Sequence, residues 1–431
     1  KILAPTLLVV AILGVLRGFF QGLGTMMPSA VSQIIEQVVN AIVSVWAAYV
    51  LYRTGSRIGA ILGDKEHYAA AYGAAGGTLG TALGAVAALI FVIFIYMIYM
   101  TLFKKQMKRE RNVSVDSLGY TMKVLIVTVI PVLLSTTIYN ISSIIDQGVF
   151  KQVALLQGYS QNDIDVWWGI YTGKFKLLIN VPISIASAMA ASFVPVLTGS
   201  YARRDMEDVR NQINLSTRFV MVVAFPCTVG LAVLATPIFN LLFNGTRQTN
   251  DIASCMMWIG AVSVLFYAMS TLSNGLLQGI DRLKVPVINA AIALGAHVIV
   301  LVALMLFFRL NIYAVVLANA FFALLMCFLN SSALKKYSGF EQEIKKTFII
   351  PAICSIFMGA AAFVIYFLLD HVLIMIGGRI RNAIAFVIAF VVAVIVYAIT
   401  LLLFKGLSED EIRKFPKGMT IIRFAKKFHL L

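Results

Sequence analysis

The chain has 431 residues, of which 60% are hydrophobic and only 13% charged, at a mean hydropathy of +0.91. A soluble domain carries about 25% charged residues, so a fully water-facing surface is excluded and the exterior has to be lipid. The net charge of +16 would suggest nucleic acid in a soluble protein, but here it reads as topological bias plus attraction to anionic head groups, and no nucleic-acid partner is expected.

A helix needs about 20 apolar residues to cross the hydrocarbon. In chain order such stretches lie at roughly 1–18, 28–52, 69–103, 119–149, 168–199, 211–243, 252–277, 285–308, 312–334, 347–369 and 382–404. They predict an all-α polytopic membrane protein with eleven transmembrane helices and no soluble domain. Prolines 131, 182, 195, 226 and 237 all fall in the fourth to sixth stretches. Each would remove a backbone hydrogen bond and bend its helix, which marks Pro131, Pro182, Pro195, Pro226 and Pro237 as a hinge set. Past Lys405, Ser408 and Glu411 form a capping-box pattern, and Ile421, Ile422, Phe424, Ala425 and Phe428 interleave with Arg423, Lys426 and Lys427. That pattern suits a helix lying on the inner leaflet.

The connections alternate between a basic and a poorly basic set. One set holds Arg17, then Lys104, Lys105, Lys108, Arg109, Arg111 and Lys123, then Arg203, Arg204, Arg210 and Arg218. It continues with Arg282 and Lys284, Lys335, Lys336, Lys345 and Lys346, and the basic tail. Opposite stand Arg53, Arg57, Lys65, Lys151, Arg247, Arg309, Arg379 and Arg381. The first set outnumbers the second about three to one and is read as cytoplasmic, together with the C-terminus. An odd number of spans then puts residue 1 outside. That residue is Lys1, with no signal-peptide pattern, so the chain reads as a fragment.

Gly18-Phe19-Phe20-Gln21-Gly22, with Pro28 after it, returns six spans later as Gly275-Leu276-Leu277-Gln278-Gly279 with Pro286. A repeat unit containing several spans is a duplicated bundle, the usual construction of a transporter. Both copies fall on the basic side, which predicts two parallel six-helix lobes related by an axis along the membrane normal. A complete first lobe would need three more helices before Lys1, making fourteen. The expected divisions are 1–111 for the rest of the first lobe, 112–340 for the second, 341–404 for an additional helix pair and 405–431 for the tail. The glycines would allow close helix approach, and Gln21 and Gln278 would cap exposed backbone groups at a cytoplasmic gate.

Cys227, Cys255, Cys327 and Cys354 lie inside apolar spans without paired spacing and read as packing residues rather than a disulfide or a metal site. His297 is the one histidine within a span, and a satisfied or cavity-facing imidazole is favoured there over a proton relay.

Arg17-Gly18-Phe19-Phe20-Gln21-Gly22, Met27-Pro28 and Gln33-Ile34-Ile35-Glu36-Gln37 occur in order with Lys176-Leu177, Asn180-Val181-Pro182, Pro195 and the tail Ser408-Glu409-Asp410-Glu411 to Phe415-Pro416-Lys417-Gly418. In this order and spacing the chain resembles the multidrug/oligosaccharidyl-lipid/polysaccharide (MOP) exporter superfamily, and within it the bacterial lipid II flippases of the MurJ and stage V sporulation protein B type. The resemblance implies a fourteen-helix transporter of the bacterial cytoplasmic membrane. Its implied cargo is an undecaprenyl-pyrophosphate-linked peptidoglycan precursor, moved by alternating access. It also implies that the extra C-terminal pair forms a groove for the lipid chain, while the almost uniformly apolar composition of that pair equally allows mere lipid-facing packing.

Such a cargo needs fixed positive charge in a hydrated cavity. Lys176, Asn180, Ser184 and Ser187 fall at i, i+4, i+8 and i+11, one helical stripe, while Lys174 heads a mostly apolar face. Lys176 is the favoured phosphate contact, with Asn180 and Ser184 beside it; Lys174 is the weaker candidate, since either lysine could instead snorkel to the interface. Asp146, with Asn140 and Ser143 on its face, suits ion coupling or pairing with a lysine, and equally an interfacial carboxylate in water. Glu36 lies deeper and requires a partner, Arg17 or the Gln21 amide being nearest in sequence; an inner gate and a purely structural bond are the two readings.

The competing functions are a flippase for another polyprenyl-linked oligosaccharide of capsule or exopolysaccharide, a cation-coupled multidrug exporter, and a membrane glycosyltransferase. An exporter of cationic drugs would need a carboxylate-dominated cavity, whereas Lys176 favours an anionic ligand. A glycosyltransferase would need catalytic acids in a large outer loop, and the outer loops here are short. No enzyme activity and no cofactor are expected. Membrane potential, a monovalent cation gradient and mass action are all compatible drivers.

Overall fold

Backbone N–H and C=O groups in hydrocarbon find no water, so a chain this apolar has to close its hydrogen bonds inside helices. The structure, a computed structural model, describes residues 3–23, 25, 27–107, 117–375 and 377–406, and every regular element among them is helical. The predicted tail helix lies outside the described residues. Among the described residues, nine helical segments are long and apolar enough to cross a bilayer, and a bent pair brings the number to ten. The chain divides into two compact units, residues 1–117 and 118–431.

The first unit holds α1 (Ala4–Gly22), α2 (Met27–Leu62) and α3 (Lys65–Met107). At about 1.5 Å per residue the 36 residues of α2 and 43 of α3 span well beyond a hydrocarbon core of about 30 Å. Helix therefore continues through the charged tip around Arg53, Arg57 and Lys65, which hydropathy alone assigned to a loop. The α2–α3 pair closes on glycine. A Cβ added at Gly76 would sit 2.4 Å from the Ala47 carbonyl oxygen, so the backbones touch there as small residues permit. Helix α1 packs on α3 through Phe19 and Phe20 against Tyr96 and Tyr99.

The second unit begins with α4 (Leu118–Leu156). Next comes one long span made of α5 (Gln161–Ile170), a π-helical turn (Tyr171–Phe175) and α6 (Lys176–Ala202). The expected stretch 211–243 divides into α7 (Met206–Val233) and the short α8 (Ala235–Leu242). Helices α9 (Arg247–Gly260) and α10 (Ser263–Gly279) form the bent pair, 54° apart, and the Ser263 hydroxyl donates to the Gly260 carbonyl freed at the break, at 2.6 Å. Then follow α11 (Lys284–Leu306), α12 (Ile312–Ser338), a second π-helical turn (Lys345–Ile349), α13 (Ile350–Val372) and α14 (Gly378–Leu403). Helix α10 packs against α6 and α12, α11 against α4 and α12, and α13 and α14 close over α7 and α8.

The two pentapeptides are helix ends with the same bonding. In the first copy the Leu23 and Thr25 amides donate to the Phe19 and Phe20 carbonyls at 3.2 and 3.1 Å. In the second, the equivalent Ile280 and Arg282 amides donate to Leu276 and Leu277 at 3.1 and 2.9 Å. Helices α2 and α11 then restart at the same offset, Met27 and Lys284. The glutamines do not cap the backbone as expected: Gln278 donates to the Asn274 side chain at 3.0 Å, and Gln21 is exposed.

The prolines are not equivalent. Pro131, Pro182, Pro195 and Pro226 lie inside α4, α6, α6 and α7. Pro237 is the third residue of α8, where its missing N–H had no intrahelical partner, so it starts a helix instead of bending one.

Candidate functional site

The π-helical turn sets the second unit's site, because it changes which way the lysines around it point. Lys174, inside the turn, donates to Thr249 Oγ1 at 3.0 Å and Asn250 Oδ1 at 2.8 Å on α9, above the Phe243 ring. Lys176, at the start of α6, is half-buried and donates to Ser143 Oγ on α4 at 3.1 Å. The turn is anchored by Phe175, whose ring fills the notch at the α9–α10 break: a Cβ on Gly260 would lie 2.5 Å from Phe175 Cζ. Asn180 and Ser184 continue the Lys176 stripe and are exposed. Lys176 and Lys174 thus have separate surroundings, and Lys174 acts on α9.

One turn along α4 from Ser143, Asp146 is buried, with a side chain 1% exposed. This rules out an interfacial carboxylate in water. Its Oδ1 lies 2.5 Å from His297 Nε2 on α11, and its Oδ2 accepts from Asn319 Nδ2 on α12 at 2.7 Å. The Asn319 amide cannot swing away, because it also donates to the Val315 carbonyl at 3.0 Å and its oxygen accepts from Tyr267 of α10 at 3.2 Å. On the other side of the ring, His297 Nδ1 is 2.9 Å from the Ala318 carbonyl oxygen. A carbonyl only accepts, so Nδ1 carries a hydrogen. Three helices thereby converge on one carboxylate. The favoured reading of His297 as a satisfied imidazole fits this geometry. Its partner was missed, as were Asn319 and Tyr267; a polar residue in each facing span was the only available signal.

A large apolar cavity of about 570 Å³ lies against another face of α6, turned away from Lys176, and is lined by Val181 and Pro182, Gly230 of α7, Met358 of α13, and Phe390 and Tyr397 of α14 among others. One helix therefore carries a cationic polar stripe on one face and an apolar wall on another.

In the first unit Arg17 donates through Nη2 to Glu36 Oε2 at 2.8 Å and through Nε to Ser32 Oγ at 2.8 Å. Arg17 and not Gln21 is the partner Glu36 required. Both side chains are mostly buried, so removing either would strand a charge in a low-dielectric site.

The family model described as Lipid II flippase MurJ matches residues 1–378. Lipid II flippase MurJ of Bacillus subtilis (strain 168) is 24% identical over 390 residues, covering 90% of this chain and 69% of that protein. Stage V sporulation protein B of the same organism is 23% identical over 428 residues, 98% of this chain and 76% of that one. Among solved structures, one described as lipid II flippase MurJ in an inward closed conformation superposes with a TM-score of 0.60 at 18% identity, covering 94% of this chain and 73% of that chain. This is a likeness of fold.

Proposed function

We propose, for a chain that belongs to the lipid II flippase MurJ family, that it moves a polyprenyl-pyrophosphate-linked peptidoglycan precursor across the bacterial cytoplasmic membrane. The observation that carries this reading is the two-sided α6: the Lys176–Asn180–Ser184 stripe offers one cation and neutral hydrogen-bonding groups to a pyrophosphate and sugar, and the cavity against another face of the same helix offers an apolar bed to the lipid chain. An amphiphile needs both kinds of surface. A drug exporter for cations would not place a lysine there, and the Lys176 environment supports an anionic cargo. Lys174, held by Thr249 and Asn250, serves to fix the π-helical turn that aims Lys176. The Arg17–Glu36 pair closes the inner side of its own unit, and lobes that rock about Pro131, Pro182, Pro195 and Pro226 give alternating access.

Expression in a bacterium depleted of its lipid II flippase tests the function: restored growth and wall synthesis are expected. Failure there, with rescue of a strain lacking a capsule-lipid flippase, would reassign the sugar head.

The proposed orientation puts both pentapeptides and the C-terminus in the cytoplasm, as the basic connections suggest. Cysteines placed at Thr25 and Arg282 should react with a membrane-impermeant maleimide in inside-out vesicles and stay unlabelled in intact cells. Labelling of either from outside would refute the orientation.

A further inference from the structure

We infer that Asp146 and His297 form a proton-binding site whose occupancy decides whether Lys176 is available to an anionic ligand, so that phosphate binding and proton uptake are coupled in this unit. The inference rests on the reading of Lys176 as the phosphate contact. Because His297 Nδ1 keeps its hydrogen for the Ala318 carbonyl, the 2.5 Å contact between Nε2 and Asp146 Oδ1 holds only with one further proton between them. Whichever atom carries that proton, the occupied pair has no net charge. When the proton leaves, a lone pair faces a carboxylate, the pair repels, and one uncompensated negative charge remains in a fully buried position.

The groups able to answer that charge are few. Around it stand Tyr171 of the π-helical turn, Tyr267 of α10, Asn319 of α12 and Lys176 of α6. Asn319 is already committed to Oδ2, and the tyrosines are neutral at ordinary pH. Among the described residues Lys176 is the one cation there, and its side-chain partner, Ser143, lies one turn from Asp146 on the same face of α4. Loss of the proton therefore draws Lys176 inward to the carboxylate. Gain of the proton releases it to the exposed stripe, where a phosphate can take it. By linkage the reverse holds as well: an anion that captures Lys176 raises the affinity of the Asp146–His297 pair for a proton.

The test is equilibrium binding of geranylgeranyl pyrophosphate to the full chain in lipid nanodiscs between pH 6 and pH 8.5. Wild-type affinity is expected to weaken with rising pH, approaching tenfold per unit where the pair empties. Asp146→Asn, which keeps the hydrogen-bond pattern to His297 and Asn319 without the charge, should bind tightly with much less pH dependence. His297→Gln should bind weakly throughout. Calorimetry of the wild type in buffers of different ionisation enthalpy should show about one proton taken up per ligand in the upper part of the range, which decides the matter even where a variant does not fold. Identical pH profiles for wild type and Asp146→Asn, or no proton uptake while Lys176→Ala still abolishes binding, would overturn the coupling alone. Undiminished binding by Lys176→Ala would instead overturn the reading of Lys176 on which it rests.

Discussion

Lys176→Ala is expected to abolish rescue of a flippase-depleted strain while leaving the protein folded, and Lys176→Arg to keep part of the activity. The folding half follows from how little the ammonium does for the fold: it is half-buried and makes a single hydrogen bond, to Ser143. The transport half follows from charge. A hydrogen bond to an ionised group is worth about 1.5–3 kcal/mol, so losing it should weaken phosphate capture roughly ten- to hundredfold. Lys176→Met separates the two contributions, because it retains the apolar stem and removes only the ammonium. It should be as inactive as the alanine variant. Arginine restores the charge on a planar fork that has to find new geometry beside Ser143, which is why partial activity is expected. The measurements are growth rescue at matched expression and the flipping rate of a fluorescent polyprenyl pyrophosphate lipid in proteoliposomes. Wild-type rescue by well-expressed Lys176→Ala would remove Lys176 from the site.

Which parts of this molecule could be read from the sequence depended on how far apart in the chain the interacting groups lie. The apolar stretches are local, and each of them is helical. Arg17 and Glu36 were also within reach, because they sit on consecutive helices and a buried carboxylate has to be paired. Asp146 posed the same requirement, but its partners come from α11 and α12, 151 and 173 residues away, and only the packing of α4 against those helices selects them. The irregularities were hidden for another reason. The π-helical turn Tyr171–Phe175 holds no proline, and its one glycine, Gly173, is no more conspicuous than the other glycines of these spans; the turn arises from tertiary fit, Phe175 seated at Gly260 and Lys174 held by α9. Conversely Pro237 carried a strong local signal that position made harmless, since it falls in the first turn of α8.

Gly230→Phe is expected to slow flipping of a full-length polyprenyl lipid by roughly ten- to a hundredfold, the upper end being the cost of misplacing a bound group by about 1 Å. A Cβ at Gly230 meets only Met358 Cε, at 3.9 Å, so a larger side chain grows into the apolar cavity instead of into the helix packing. Folding should survive; replacing glycine inside a helix by alanine even favours the helix by up to about 1 kcal/mol, and Gly230→Ala should therefore raise the thermal midpoint in detergent with transport unchanged. The reason for expecting a loss in Phe is steric. Surrounding acyl chains are as apolar as the groove, so transfer of the polyprenyl chain from bilayer to protein supplies little driving force. In the proposed mechanism the groove would supply position, holding the chain against α6 while the pyrophosphate engages Lys176 on the same helix. A bulky ring in the groove pushes the chain out, and the head group follows. Short-chain pyrophosphates, which do not fill the groove, should consequently lose much less than the long-chain lipid. The comparison to run is the ratio of flipping rates for long- and short-chain fluorescent lipids in wild type, Gly230→Ala and Gly230→Phe. An unchanged ratio in a well-folded Gly230→Phe protein would mean that the chain stays in the bilayer throughout and that the cavity between α6, α7, α13 and α14 has no part in transport.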